Sequence, residues 1–76
     1  MSSWKVVYGS HIECVSFSIF DDPKVIFKAI KDKGFDFFID DTYEIVKLED
    51  RGGFYDLFLH RKNQTEFEIV RITPFD

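Results

Sequence analysis

One amphipathic helix lies between segments that alternate in the manner of β-strands, and this order limits the fold more than any other feature of the sequence. Asp22 can accept hydrogen bonds from first-turn amides and Pro23 suits the first helical position, so the helix is expected to begin there. Apolar residues then recur at helical spacing as far as Gly34, a residue that suits a left-handed helix end. We therefore predict a helix over about residues 22–33, which needs a sheet to cover its apolar side.

Two strands are predicted before this helix. The β-branched and aromatic run at 4–8 stops at Gly9, a turn signal, and the segment 13–19 alternates apolar and polar residues. Val15 and Phe17 fall on one face of the second segment, so that face is expected to be buried. The two segments are expected to pair as a hairpin.

The chain after the helix is predicted to consist of strands. They are separated by polar or glycine-containing turns, of which Gly52-Gly53 is the strongest hairpin signal. The predicted strands cover residues 35–39, 43–48, 54–59 and 65–72. The first two are either separate strands or one bent strand, and the last three form a β-meander.

The order ββα followed by a β-meander predicts a small two-layer α+β domain over residues 1–76, with a mainly antiparallel sheet of four to six strands and the helix on one face. No second domain is expected in 76 residues. Leu57 and Leu59 project opposite to Phe54 and Phe58, and one short helix does not cover both faces. Either the sheet curls upon itself or an apolar surface remains for a partner, such as a second copy in a homodimer.

Charge and cysteine content limit the function classes. Fourteen acidic residues against ten Lys and Arg give a net charge of −4, which disfavours non-specific attraction to nucleic acids and anionic membranes. Cys14 is the only cysteine, whereas small secreted domains usually have several disulfides, so a cytoplasmic location is predicted. No apolar run approaches the roughly 20 residues that span a bilayer, so no membrane insertion is expected.

No motif predicts an enzyme, a cofactor or a metal ion. His11 and His60 are the only histidines, and a metal-independent nuclease that uses them as acid and base is the third hypothesis. Cys14 is predicted to be a structural thiol, because it lies on the serine side of a strand and not at a helix N-terminus or beside a cationic group. The carboxylates at 36–44 lack the spacing of a calcium loop, and the turn at 52–53 precedes a strand, unlike a phosphate-binding loop.

The acidic stretch between residues 36 and 50 provides the leading hypothesis, a non-enzymatic protein-interaction module. Such a protein would act as an inhibitor, antitoxin, immunity protein or phage-encoded modulator that docks on a partner with a basic surface and occludes it. Exposed tyrosines are predicted to anchor the contact. The predicted contact residues are Asp36, Asp40, Asp41, Tyr43, Glu44, Glu49, Asp50 and Tyr55.

An RNA- or single-strand-binding module is the alternative hypothesis, because cations and aromatic rings occur close together in the C-terminal half. In sheet-surface RNA binders the rings stack on bases and the cations hold phosphates. The residues predicted for this function are Arg51, His60, Arg61 and Lys62, with Phe54, Tyr55 and Phe58 supplying rings. The sequence patterns of RNA-recognition strands are not present, and phenylalanine on a strand is more often a core residue.

Overall fold

A computed structural model describes residues 2–75 as one five-stranded antiparallel sheet with a helix. The elements are β1 (Ser2–Tyr8), β2 (His11–Phe17), α1 (Pro23–Ile30), a π-helical turn (Lys31–Phe35), β3 (Tyr43–Asp50), β4 (Tyr55–Arg61) and β5 (Glu68–Pro74). The strand order in the sheet is β2-β1-β5-β4-β3. The predicted α+β class and the order ββα followed by a meander are confirmed.

The N-terminal hairpin forms as predicted. Tyr8 pairs with His11 around a tight turn, in which Gly9 has a φ of 60° that glycine adopts without steric cost. Val15 and Phe17 are buried, while the alternate side chains of β2 point to the other face. β5 lies between β1 and β4, so it joins this hairpin to the meander.

Helix α1 begins and ends close to the predicted residues. The Asp22 Oδ1 accepts a hydrogen bond from the Lys24 amide at 2.8 Å, and Pro23 is the first helical residue. Ile26 and Ile30 of the apolar side are fully buried. The helix continues into the π-helical turn, where Gly34 has a φ of 101° and leaves the helical conformation.

The predicted strand at 35–39 is wrong. The amides of Phe38 and Ile39 both donate to the Phe35 carbonyl, at 3.0 and 2.8 Å, so these residues form a turn. Phe35 and Ile39 are buried, whereas Phe37 is 87% exposed, although strand alternation would have put all three side chains on one face. The four-residue spacing of the buried pair matches one helical turn instead.

The sheet curls around its core, and α1 lies across the concave side. The helix packs against β2 and β3, which are the two edge strands of the sheet. We call the side that faces the core the concave face and the opposite side the convex face. The fully buried residues of the central strands on the concave face are Val6, Leu57, Leu59, Val70 and Ile72. Among residues 2–75, no helix combines the length and apolar character needed to cross a membrane.

Candidate functional site

A band of apolar side chains crosses the convex face. The strand register places Ile12 opposite Val7 and Phe58 opposite Ile69. Val7 faces Arg71 on the neighbouring strand, and Ile69 lies two residues before Arg71 on the same face. Val7 and Ile69 are therefore diagonal neighbours, close enough for their side chains to interact. The Phe67 ring, just before β5, lies 6.1 Å from the Phe58 ring. We call these five residues the apolar band.

The apolar band is a surface and not part of the core. Ile12 is 55% exposed, Phe67 57% and Ile69 44%, while Val6, Val15 and Val70 on the concave side of β1, β2 and β5 are buried. Val7 and Phe58 are half-buried and connect the exposed members. Large exposed side chains gathered on one face of a small protein indicate an interaction site more often than isolated ones do.

A cluster of charged side chains lies beside the band on the same face. Asp56 is only 4% exposed, and it sits between Arg51, whose Nε donates to Oδ2 at 3.1 Å, and Arg71, whose Nε donates to Oδ1 at 3.4 Å. Glu49 faces Asp56 across the strands, and its Oε2 lies 3.2 Å from Lys47 Nζ and 3.5 Å from Arg51 Nη2. Arg51 therefore bridges two carboxylates that would otherwise repel each other. We call these five residues the Asp56 cluster.

The cations of the Asp56 cluster also cover aromatic rings. Lys47 Nζ lies 4.8 Å from the centroid of the Phe58 ring, and Arg51 Cζ lies 5.7 Å from it. Arg71 Cζ lies 4.4 Å from the centroid of the Phe54 ring. Cation–π contacts and ion pairs together restrain these long side chains, so the rim of the apolar band is ordered.

Sequence reasoning missed the Asp56 cluster, although part of it has a visible signal. Arg51 and Asp56 flank the predicted Gly52 turn, and alternation puts Asp56 on the same face as Phe58. Arg71 cannot be assigned to the cluster from sequence, because its position depends on the register between β4 and β5. That register is fixed only when the whole sheet packs.

The structure divides the predicted acidic surface among three places. The first is a shallow groove of about 580 Å³ beside α1, lined by Asp36, Asp40 and Asp41, by Lys24 and Lys28 of α1, and by Lys31 of the π-helical turn. The second is the convex face, where Glu44 lies 3.0 Å from His60 and Glu49 belongs to the Asp56 cluster. The third is the β3–β4 turn, where Asp50 accepts from the Gly52 amide at 2.8 Å.

Two of the groove carboxylates, Asp40 and Asp41, already have partners within the chain. The Thr42 hydroxyl and amide donate to Asp40 and hold the pKa of that carboxyl below its ordinary value. Lys31 Nζ donates to Asp41 Oδ1 at 2.8 Å and lowers the pKa of Asp41 in the same way. Both carboxyls are solvent-exposed, so these contacts are surface interactions within the loop and contribute little to stability.

The prediction that Tyr43 is an exposed anchor is wrong. Its side chain is 6% exposed, and its hydroxyl donates to Glu68 Oε2 at 2.8 Å, while the Tyr8 hydroxyl donates to Glu68 Oε1. Burial and the Glu68 carboxylate raise the pKa of Tyr8 far above its ordinary value. Tyr43 is buried because it begins β3 on the concave side, where the curled sheet brings β1, β3 and β5 together. Tyr55 is half-buried, with its ring edge-on to Trp4 at 5.8 Å.

The residues predicted for nucleic-acid binding do not form one patch. Arg51 belongs to the Asp56 cluster, and the ring nitrogens of His60 lie 3.0 Å from a Glu44 carboxylate oxygen and 2.9 Å from the Gln64 carbonyl oxygen. Arg61 instead stacks over the Tyr43 ring at 4.5 Å, on the concave side of β4. Lys62 is exposed in the turn after β4.

The two histidines lie far apart. His11 is on the concave side of β2, between the rings of Phe35 and Phe38 at 4.7 and 4.9 Å. His60 is on the convex side of β4, three strand spacings away, which corresponds to about 14 Å. The structure therefore does not bring them together as an acid–base pair. Cys14 is a free, exposed thiol on the convex face.

Within the part of the chain from Ser2 to Phe75, no three His, Cys, Asp or Glu side chains are grouped as metal ligands would be. Comparisons with protein-family models, with curated proteins and with solved structures found no match for this chain.

Proposed function

We propose that the protein is a non-enzymatic protein-interaction module that docks on a partner protein through the apolar band of its convex face. The observation that carries this proposal is the exposure of Ile12, Ile69 and Phe67 in one continuous band, on the face that α1 leaves uncovered. Aromatic and aliphatic side chains surrounded by ordered polar groups are the usual anatomy of a protein interface. Docking there would act by occlusion, as in an inhibitor, antitoxin or immunity protein.

The charges on the convex face favour a partner that presents carboxylates around an apolar patch. Cations outnumber carboxylates there by one, although the chain as a whole has a net charge of −4. The cations are Lys5, Lys47, Arg51 and Arg71, and the carboxylates are Glu44, Glu49 and Asp56. The acidic loop beside α1 faces elsewhere and is a second, weaker candidate for contact with a basic partner.

The contacts of the rings support protein docking over nucleic-acid binding. A base stacks on the open face of an aromatic ring, and phosphates are held by cations that are free to reach them. Phe58 is covered by Lys47 and Arg51, and Phe54 is covered by Arg71. Stacking a base on either ring would break these contacts and the ion pairs to Asp56.

The test is capture of a partner from an extract of cells that produce the protein, with nuclease treatment and with Phe67→Ser as the probing variant. Phe20→Ser is the matched control, because Phe20 is 95% exposed but lies in the β2–α1 connection, away from the band. We expect at least about tenfold less partner with Phe67→Ser, equivalent to roughly 1.4 kcal/mol of binding energy, and no loss with Phe20→Ser. Equal capture by both variants would contradict the proposed surface, and capture that nuclease abolishes would favour the nucleic-acid alternative.

A further inference from the structure

The two edges of the sheet differ in how well they are protected against pairing. β3 is irregular, because its register against β4 shifts between Ile45 and Lys47, and its convex side carries charged residues. Bulges and charges are the features by which natural sheets block edge-to-edge association. β2 pairs with β1 without interruption along its whole length, and its convex side holds the uncharged residues Ile12, Cys14 and Ser16.

The same three residues of β2 direct their backbone groups outward. The Phe75 amide donates to the Ser3 carbonyl at 3.3 Å, so the backbone groups of Ser3 point toward β5 and away from β2. In an antiparallel ladder the backbone N–H and C=O groups of successive residues point alternately to the two sides of the strand. Two residues that face each other direct these groups either toward each other or away from each other. Ser16, which faces Ser3, therefore points outward, as do Cys14 and Ile12. Within residues 2–75 these outward groups have no backbone hydrogen-bond partner.

We propose that a second copy of this chain pairs antiparallel with β2 about a two-fold axis at Cys14, which continues the sheet across both copies. Cys14 is the midpoint of β2 (His11–Phe17), so an axis there pairs the strand along its full length. Each outward N–H then meets an outward C=O of the other copy. The pairing uses the edge of the sheet and does not depend on the docking function of the convex face.

The facing side chains suit a second copy of the same strand. On the convex side Ile12 faces Ser16, a large side chain opposite a small one, and the small Cys14 faces its equivalent at the axis. On the concave side Glu13 faces Val15, so no two like charges stand directly opposite each other. An isologous contact of this kind closes as a dimer, whereas pairing of β2 with β3 would have to accommodate the register shift at Val46.

The first test compares a lysine placed on each edge of the sheet. Cys14→Lys puts two ammonium groups opposite each other at the axis, whereas Val46→Lys adds the same charge to the exposed side of β3. Sedimentation over a range of concentrations should show a dimer whose dissociation constant rises about fivefold with Cys14→Lys and is unchanged with Val46→Lys. A monomer at every concentration, or a dimer that only Val46→Lys weakens, would overturn the proposal. Ser16→Lys replaces Cys14→Lys if circular dichroism shows that the latter does not fold.

The second test uses the single thiol as a distance probe. At the axis the two Cys14 Cα atoms would be about 5.5 Å apart, within the range that a disulfide spans, so oxidation with diamide should yield a covalent dimer. The control, Lys5→Cys in a Cys14→Ser background, moves the thiol to β1, where the two copies would be about 14 Å apart. Equally rapid crosslinking of the control would indicate random collision and would overturn the proposal.

Discussion

The concave and convex faces of the sheet alternate residue by residue along the same strands, yet they are stabilised by different forces. On the concave face Leu57 and Leu59 are fully buried apolar side chains, and burial alone holds them. On the convex face Asp56, the residue before Leu57, is held in place by ion pairs to two arginines. Because ion pairs do not require apolar residues to be covered, the apolar band of the convex face stays exposed. Stability and recognition should therefore respond to different substitutions.

The largest expected effect is on the concave face. Leu57→Ala removes buried methyl groups and leaves a cavity, so the free energy of unfolding should fall by about 2–5 kcal/mol. Ile69→Ala, on the convex face opposite Phe58, should cost less than about 1 kcal/mol because Ile69 is already 44% exposed. Urea denaturation measures both values. Similar losses in the two variants would mean that the convex band is part of the core.

An intermediate effect is expected in the Asp56 cluster. Asp56→Asn keeps the shape of the side chain but leaves Arg51 and Arg71 without a buried anion, so unfolding should become easier by about 1–3 kcal/mol. Asp41→Asn is the matched control, since the Lys31–Asp41 pair is solvated, and no measurable loss is expected from it. Chemical denaturation compares the two. If Asp56→Asn were as stable as the natural chain, the charge network would have no role in ordering the convex face.

The smallest loss of stability is expected at Tyr8, on the concave side, and this loss depends on pH. The folded state raises the pKa of Tyr8, so the neutral hydroxyl is favoured there, and this stabilisation is present below pH about 10 and declines above it. Tyr8→Phe loses the hydrogen bond to Glu68 and should be less stable by about 1 kcal/mol at pH 7. The difference in free energy of unfolding between the natural chain and Tyr8→Phe should become smaller as the pH rises above 10. Chemical denaturation at pH 7 to 11 measures it. A constant difference would show that Tyr8 ionises equally in both states.

Local signals in the sequence were sufficient for most of the fold. Asp22, Pro23 and Gly34 mark the limits of the helix because capping and backbone preferences act within a few residues. The error at 35–39 has a local cause as well. Phe35 and Ile39 are compatible with alternation and with one helical turn, and only packing under the curled sheet favours the turn.

The candidate site depended on contacts that local patterns do not specify. Glu68 accepts hydrogen bonds from Tyr8, 60 residues earlier, and from Tyr43, 25 residues earlier, so the burial of Tyr43 follows from the closure of the sheet. In the same way, the acidic stretch at 36–50 is continuous in sequence but separates in space, because a turn and a strand divide it between the groove and the convex face.

The central position of β5 has a consequence for the order of events during synthesis. Both neighbours of β5, β1 and β4, are made before it, so the two hairpins emerge from the ribosome without the strand that joins them. Until β5 enters, β1 and β4 each present an unpaired edge, and the concave side chains of the two halves cannot meet. Folding then depends on a late contact between distant parts of the chain, which is typical of slowly folding β-rich domains. During that interval the chain is most prone to aggregation through its unpaired strand edges.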